Sequence, residues 1–335
     1  MPTHYLACDL GADSGRLMLG SLNDDKIISL TELHRFPNGP MKNVGALHWN
    51  IDGLFAELKT GLKLAAATQL PIASISTDSW GVDYVLYDER GLILSPVWCY
   101  RDGRTALGIE NVNARIDWPT LYAITGIQFM SFNTIYQVAA EPPERLAQAK
   151  QLLLIGDAFN YFCSGVARSE VSIASTTQLY NPTFNRWSKR IFAALGLHEN
   201  LFAPICPSGT KLGPLKKNLV AESGLPPLEV IATCSHDTGA AVAAIPATGD
   251  NWAFLSSGTW SLMGIELPKP VINEQARTLG FTNEIGFGNT VRLLKNIIGL
   301  WIVQECRRQW VKEGTKYDFA ALEKLAAGLV ANIVL

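Results

Sequence analysis

Short apolar runs alternate with polar, glycine-bearing turns along this chain, and the alternation predicts its elements. Residues 5–8 are apolar, Asp9-Leu10-Gly11-Ala12-Asp13-Ser14-Gly15-Arg16 is polar and glycine-rich, and 17–19 is apolar again. That order reads as strand, turn, strand: a hairpin at the start of the chain. A helix is predicted over 50–67, with Ile51, Leu54, Phe55, Leu58, Leu62 and Ala65 on one face and Asn50 or Asp52 as its cap. Residues 72–76 read as a strand entering Thr77-Asp78-Ser79-Trp80-Gly81-Val82-Asp83, and runs at 84–87 and 92–94 predict a second hairpin. A buried strand at 151–155 leads into a helix at 159–163. Strands alternating with helices after early hairpins imply an α/β fold with a mixed sheet.

The stretch TCSHDTGAAVAA, 233–244, joins an apolar strand at 228–232 to an alanine-rich helix. Ser235, His236 and Asp237 fall at the junction, where a helix leaves amide N–H groups free and its dipole is positive. A carboxylate there stays ionised and can take a proton from a bound hydroxyl. Equally, Ser235 or Asp237 there can serve simply as a helix cap. Beyond it, the runs at 253–255 and 261–265 around Ser256-Ser257-Gly258-Thr259-Trp260 repeat the layout of the first hairpin, as in a diverged duplication. A strand is predicted at 291–295 and a helix at 297–310 with Ile298, Trp301, Ile302 and Cys306 on one face. Leu322, Leu325 and Leu329 mark a last helix.

Composition narrows the class. At 335 residues two domains are the default, and 48% hydrophobic with 17% charged residues suits buried cores. A net charge of −2 offers no footprint for nucleic acid or an anionic membrane. No run is long enough to span a bilayer, and the N-terminus lacks the pattern of a signal peptide. Six scattered cysteines without a C-x-x-C pair fit a reduced, cytoplasmic chain.

Two glycine hairpins are candidates for two phosphate loops, because glycine lets backbone N–H groups approach phosphate oxygens and Ser14 and Thr259 can donate as well. Asp9 adds a carboxylate where a phosphate-bound Mg²⁺ needs one, through water. Each hairpin alone is also an ordinary β-turn. Together, flanking an Asp-bearing helix start, they favour a phosphoryl-transfer cleft. No G-x-x-x-x-G-K-[ST], H-E-x-x-H or G-x-S-x-G is present, and adjacent Ser235 and His236 rarely orient as nucleophile and base. Trp80, Gly81 and Asp83 form a candidate sugar site, with Trp80 equally readable as core. Arg101 and Asp102 read as a structural ion pair between loops or as part of the sugar wall, with structural support the favoured reading.

DLGADSGR (9–16), STDSWGVD (76–83), YRDGRT (100–105), GIQFMSFNTIYQ (126–137), TTQLYN (176–181), SHDTGAAV (235–242), LSSGTWSLMG (255–264) and LLKNIIGLW (293–301) run in order along the chain. In these blocks it resembles the FGGY carbohydrate kinases of the actin/hexokinase/Hsp70-like superfamily, and within them the rhamnulokinase branch. Asn133 stands where the wider family has a lysine, which fits that branch. The resemblance implies two ribonuclease H-like (actin-like ATPase) domains around a cleft: a sugar-binding domain over 1–244 and the start of a nucleotide-binding domain over 245–335, incomplete in this chain. It implies ATP and Mg²⁺, with Ala12, Asp13, Ser14, Gly15 and Arg16 as the first phosphate loop. Thr259 would contact the nucleotide phosphates, and Gln304 the nucleotide. Gly81, His236, Asp237, Thr238 and Asn296 would hold a ketose, with Asp237 accepting its proton. The implied reaction converts L-rhamnulose and ATP to L-rhamnulose 1-phosphate and ADP. The alternatives are another 6-deoxyketose such as L-fuculose, or a non-catalytic sugar or nucleotide sensor. No segment matching the family's adenine-cradling glycine-rich stretch precedes Leu335, so weak ATP binding by residues 1–335 is expected.

Overall fold

The computed structural model describes residues 2–43, 45–258 and 260–328. Its first half is built on a six-stranded mixed sheet. The strands used below are β1 (Thr3–Leu10), β2 (Ser14–Leu22), β3 (Ile28–Pro37), β4 (Ile72–Ser79), β5 (Tyr84–Tyr87), β6 (Gln151–Leu154), β7 (Thr210–Pro214) and β8 (Glu229–Ala232). The sheet order is β7-β8-β4-β1-β2-β3. Strands β1, β4 and β8 run parallel at its centre, with antiparallel strands on both sides. The opening hairpin is as expected: β1 and β2 pair from Thr3 with Leu22 to Leu10 with Gly15.

The faces of this sheet are covered by helices α1 (Ile51–Ala67) and α4 (Ile155–Ser164). Helix α1 starts where Asn50 accepts from Gly53 N–H at 3.0 Å, and it buries Leu54, Leu58, Leu62 and Ala65. The α1 backbone approaches the sheet closely at Gly61, where a Cβ would lie 2.8 Å from Leu17. Two further helices, α2 (Thr105–Asn113) and α3 (Thr134–Ala139), pack against each other beside β5 and β6. They meet at Gly108, where a Cβ would stand 1.8 Å from the Tyr136 carbonyl oxygen. Backbone cannot yield there as a side chain can, so Gly108→Ala is expected to destabilise by about 2–3 kcal/mol through overpacking. Urea unfolding would read this, and an unchanged midpoint would refute it.

The second half is a four-stranded antiparallel sheet in the order β9-β10-β12-β11, from β9 (Phe254–Ser257), β10 (Trp260–Leu267), β11 (Thr282–Ile285) and β12 (Val291–Ile298). Helix α6 (Asp237–Ala243) precedes it, and helices α7 (Trp301–Lys312) and α8 (Phe319–Ala327) follow it. Only Val242, Phe254 and Leu294 form its buried cluster among the described residues, and Trp260, Met263, Ile265, Ile297 and Ile298 remain exposed.

Two expectations change. The helix predicted over 297–310 begins at Trp301, because Ile297 and Ile298 continue β12 and pair with Ser261 and Trp260. Paired β-branched residues favour the strand, and Gly299 turns the chain hard against the Gly258 carbonyl. The second hairpin is short: Ile93 makes a single bridge to Tyr87, and the main partner of β5 is β6. Leu329, assigned to the last helix, lies outside the described residues.

Candidate active site

The parallel strands β1, β4 and β8 end side by side, which is where open α/β sheets present their ligand crevice. The chain leaving β8 is stitched to the end of β4: Ser79 N–H donates to the Ser235 carbonyl at 2.9 Å, and Ser79 bridges His236. Ser235 N–H donates to Glu170 Oε2 at 3.0 Å, and His236 N–H to Ser172 Oγ at 3.2 Å. Ser172 belongs to the short buried helix α5 (Val171–Ser175). Helix α6 therefore starts from a backbone fixed on two sides. Its N-cap residue is His236, whose Nδ1 lies 3.0 Å from Thr238 N and 2.9 Å from Asp237 Oδ1, rather than Ser235 or Asp237 as the sequence alone suggested.

Asp237 takes the same Thr238 N–H more closely. Its Oδ1 lies 2.5 Å from Thr238 N, 3.2 Å from Thr238 Oγ1 and 2.9 Å from His236 Nδ1. All these contacts fall on one oxygen, and Asp237 lines the cleft. Burial pushes this carboxyl up, yet the His236 ring and the Thr238 donors outweigh it and hold Asp237 below the usual carboxylate range. Asp78, the in-register neighbour of Asp9 across β4 and β1, behaves oppositely. Burial, with the charges of Asp9 and Asp237 close by, pushes it well up.

The cleft has a volume of about 340 Å³ and lies between the two sheets. It gathers Gly81, His236, Asp237, Thr238 and Asn296, along with Ala12 and Asp13 from the turn between β1 and β2. At Gly81 a Cβ would stand 3.2 Å from both His236 Nε2 and Thr176 Oγ1, so the missing side chain keeps that wall open. Asn296 donates to Gln128 Oε1 at 3.3 Å across the two halves.

Asp83 has a different role from the hydroxyl-binding one that its motif suggested. It is fully buried. Its Oδ2 accepts from the indole of Trp49 at 2.5 Å, the indole of Trp80 at 3.0 Å and Tyr100 N–H at 3.2 Å; Oδ1 accepts from Gln137 Nε2 at 2.8 Å. Burial raises its pKa to about 6 despite these four donors. The carboxylate fixes the cleft wall from behind, while Trp80, Val82 and Tyr100 reach the surface of the cleft. Val82 is held in the left-handed region at φ 69°, pinned by Thr134 Oγ1 at 2.7 Å and Gln137 Nε2 at 3.2 Å on its carbonyl.

Other predicted residues are placed less centrally. Asp9 accepts from Arg16 through Oδ2 at 2.7 Å, and Ser14, Gly15 and Arg16 open β2 without lining the cleft. Thr259 lies outside the described residues. Gln304 sits on α7 in a separate groove with Arg307 and Arg308. Arg101 and Asp102 are not paired to each other: Asp102 accepts Leu47 N–H at 2.8 Å, while Arg101 reaches Asp13 at 3.6 Å on the cleft rim. Sequence reasoning passed over Thr176 and Glu284, which also line the cleft. Thr176 lay inside a block singled out for resemblance, whereas nothing around Glu284 marked it.

Among the described residues no group of three acidic, histidine or cysteine side chains could hold a metal ion, and no helix is long and apolar enough to cross a membrane. Comparison with known proteins accounts for the arrangement. Residues 4–244 match the N-terminal domain, and residues 253–335 the C-terminal domain, of the FGGY family of carbohydrate kinases. A rhamnulokinase of Enterococcus faecalis is 41% identical over 322 residues, covering 96% of this chain and 65% of that protein. One from Halalkalibacterium halodurans is 43% identical over 329 residues, covering 97% and 69%. The chain thus spans about two thirds of the length of these curated relatives. A ligand-bound xylulose kinase from Lactobacillus acidophilus superposes with a TM-score of 0.79 at 15% identity, over 92% of this chain and 62% of that one. Plasmodium falciparum glycerol kinase with ADP gives 0.76 at 13% identity, over 91% and 64%, so the fold is shared even where the sequence is not. With both family domains matched in order along its length, the chain belongs to the FGGY family of carbohydrate kinases.

Proposed function

We propose that this protein transfers the γ-phosphoryl group of ATP to O1 of L-rhamnulose. The observation that carries the reading is Asp237, ionised at the start of α6 on the wall of the cleft with one oxygen held, in a chain about 40% identical to proteins named rhamnulokinase. Residues 1–244 act as the sugar-binding domain and 245–335 as the beginning of the nucleotide-binding domain. Gly81, His236, Thr238 and Asn296 orient the ketose. Asp237 Oδ2 accepts the 1-hydroxyl proton as that oxygen bonds to phosphorus and ADP leaves. Phosphoryl transfer through a loose transition state needs positioning and charge neutralisation more than a strong base, so a carboxylate of low pKa suffices. Ala12 to Arg16 and Thr259 serve the phosphates, and Gln304 the nucleotide. The apolar side chains of Ile127, Met130, Phe132 and Leu262 in the same cleft suit the methyl end of a 6-deoxy sugar.

A divalent ion suits the donor set only as a hydrated partner of the nucleotide. Arg16 occupies one oxygen of Asp9, and the other is left for a metal-bound water, with the ionised Asp237 adding negative charge nearby. Mg²⁺ would supply charge neutralisation on the transferring phosphates. Coupled ADP-release kinetics test the substrate, on this chain and on a form extended to the full length of its relatives. L-rhamnulose is expected to give a higher kcat/KM than L-fuculose, D-xylulose or glycerol, because a misplaced hydroxyl leaves buried groups unpaired. Glycerol emerging as the best substrate would overturn the assignment, and tight ketose binding without turnover in the extended form would favour a sensor.

A further inference from the structure

Across the cleft from Asp237, the second sheet presents a carboxylate with no assigned task. Glu284 on β11 lines the cleft at 8% exposure, and its Oε2 makes no hydrogen bond. That oxygen lies 3.1 Å from Arg292 Nη2 and 3.9 Å from His236 Nε2. Arg292, opposite it on β12, is fully buried behind α6. Its Nε and Nη1 have no partner, and Nη2 reaches only the Ile285 carbonyl at 3.4 Å besides Glu284. Buried charges are costly unless their hydrogen bonds are completed, and a pair left this incomplete is poor support for a fold. Oε2 is closed against Arg292 with almost no accessible surface, so what Glu284 presents to the cleft is the rest of its carboxylate, which accepts no hydrogen bond from the described residues and is completed by a ligand donor.

We infer that Glu284, anchored by Arg292, is a recognition group for a ketose hydroxyl, offered from the second sheet while Asp237 receives O1 on the first. The inference rests on the sugar-kinase reading above. The ligand group is a neutral donor. Asp237 and Glu284 together repel an anion, and Arg292 already balances the Glu284 charge, so nothing there calls for a cation. The imidazole of His236 stands between the two carboxylates, so a sugar lying against it meets both.

Calorimetric titration of L-rhamnulose and its monodeoxy analogues into the full chain tests this without nucleotide. The wild type should lose roughly ten- to a hundredfold in affinity for one deoxy analogue, the size of one hydroxyl matched to a buried charged acceptor. Glu284→Gln should bind L-rhamnulose weaker by a similar factor and no longer distinguish that analogue. Because Glu284→Gln leaves Arg292 buried and unpaired, the double variant Glu284→Gln/Arg292→Met is titrated beside it, with thermal melting of each. The double variant should melt near the wild type and show the same lost discrimination. Variants that keep the full wild-type preference would overturn the inference and leave the pair as a sheet-register ion pair. No heat with any ketose on the wild type would instead overturn the sugar-kinase reading, and this inference with it.

Discussion

Asp237→Asn is expected to lower phosphoryl transfer by roughly 10²–10⁴-fold, the usual range for loss of a general base, while ketose affinity changes little. The amide keeps the shape of the carboxylate and can still accept from Thr238 N–H through Oδ1. What it cannot do is take the hydroxyl proton. The contrast between rate and affinity matters, since a lost cap would weaken both through the start of α6. The Thr238 N–H keeps both of its acceptors, so the helix start should survive. Coupled ADP release beside sugar calorimetry separates the two effects. A variant within threefold of the wild-type rate, about 0.7 kcal/mol in barrier, would remove Asp237 from the chemistry.

The second large effect is expected at Asp83. Asp83→Ala strands three donors in the interior, the indoles of Trp49 and Trp80 and Tyr100 N–H, while the Gln137 amide keeps the carbonyls of Val82 and Phe132. At about 1–2 kcal/mol for each unpaired donor the loss is about 3–6 kcal/mol. Against it stands the relief of removing a buried charge. With a folded pKa of about 6, Asp83 binds its proton more tightly in the folded than in the unfolded chain. Its ionisation therefore costs stability as pH rises from about 4 to 6, by about 3 kcal/mol once complete. The net expectation is a loss of roughly 0–3 kcal/mol at pH 7, growing to about 3–6 kcal/mol near pH 4, where the wild-type carboxyl is neutral. Denaturant unfolding at the two pH values reads it directly. A loss under about 1 kcal/mol at both would mean that the stranded donors find water, and that the cleft wall does not depend on this carboxylate.

The parts of the fold set by local pattern were readable from the chain. The β1–β2 hairpin, the Asn50-capped helix and the strand entering STDSWGVD announce themselves because each carries its own periodicity and punctuation. The convergence of Gly81, His236, Asp237, Thr238 and Asn296 on one cleft depends on sheet order, which no local pattern encodes. Resemblance alone pointed to it. Asp83 shows the limit of reading residue types: a carboxylate beside a tryptophan and a glycine suggested sugar hydroxyls, yet its partners come from positions 49, 80, 100 and 137. Glu284 was invisible for the same reason, since its meaning lies in Arg292 on the neighbouring strand and His236 at the start of α6.

Strand β11 deals its residues alternately to two tasks. Thr282 and Glu284 face the cleft, while Asn283 and Ile285 join the two halves: the Asn283 side chain donates to the Gly126 carbonyl at 3.1 Å, and Ile285 N–H to Ser175 Oγ at 2.9 Å. A strand repeats every two residues, so inserting or deleting one exchanges the faces completely. In this segment such an event would turn the carboxylate of Glu284 into the seam and the amide of Asn283 into the cleft, abolishing recognition and assembly at one stroke. Positions 282–285 are therefore closed to changes in length. Any drift in loop size must be absorbed beyond them, in the turn formed by Gly286, Phe287, Gly288 and Asn289.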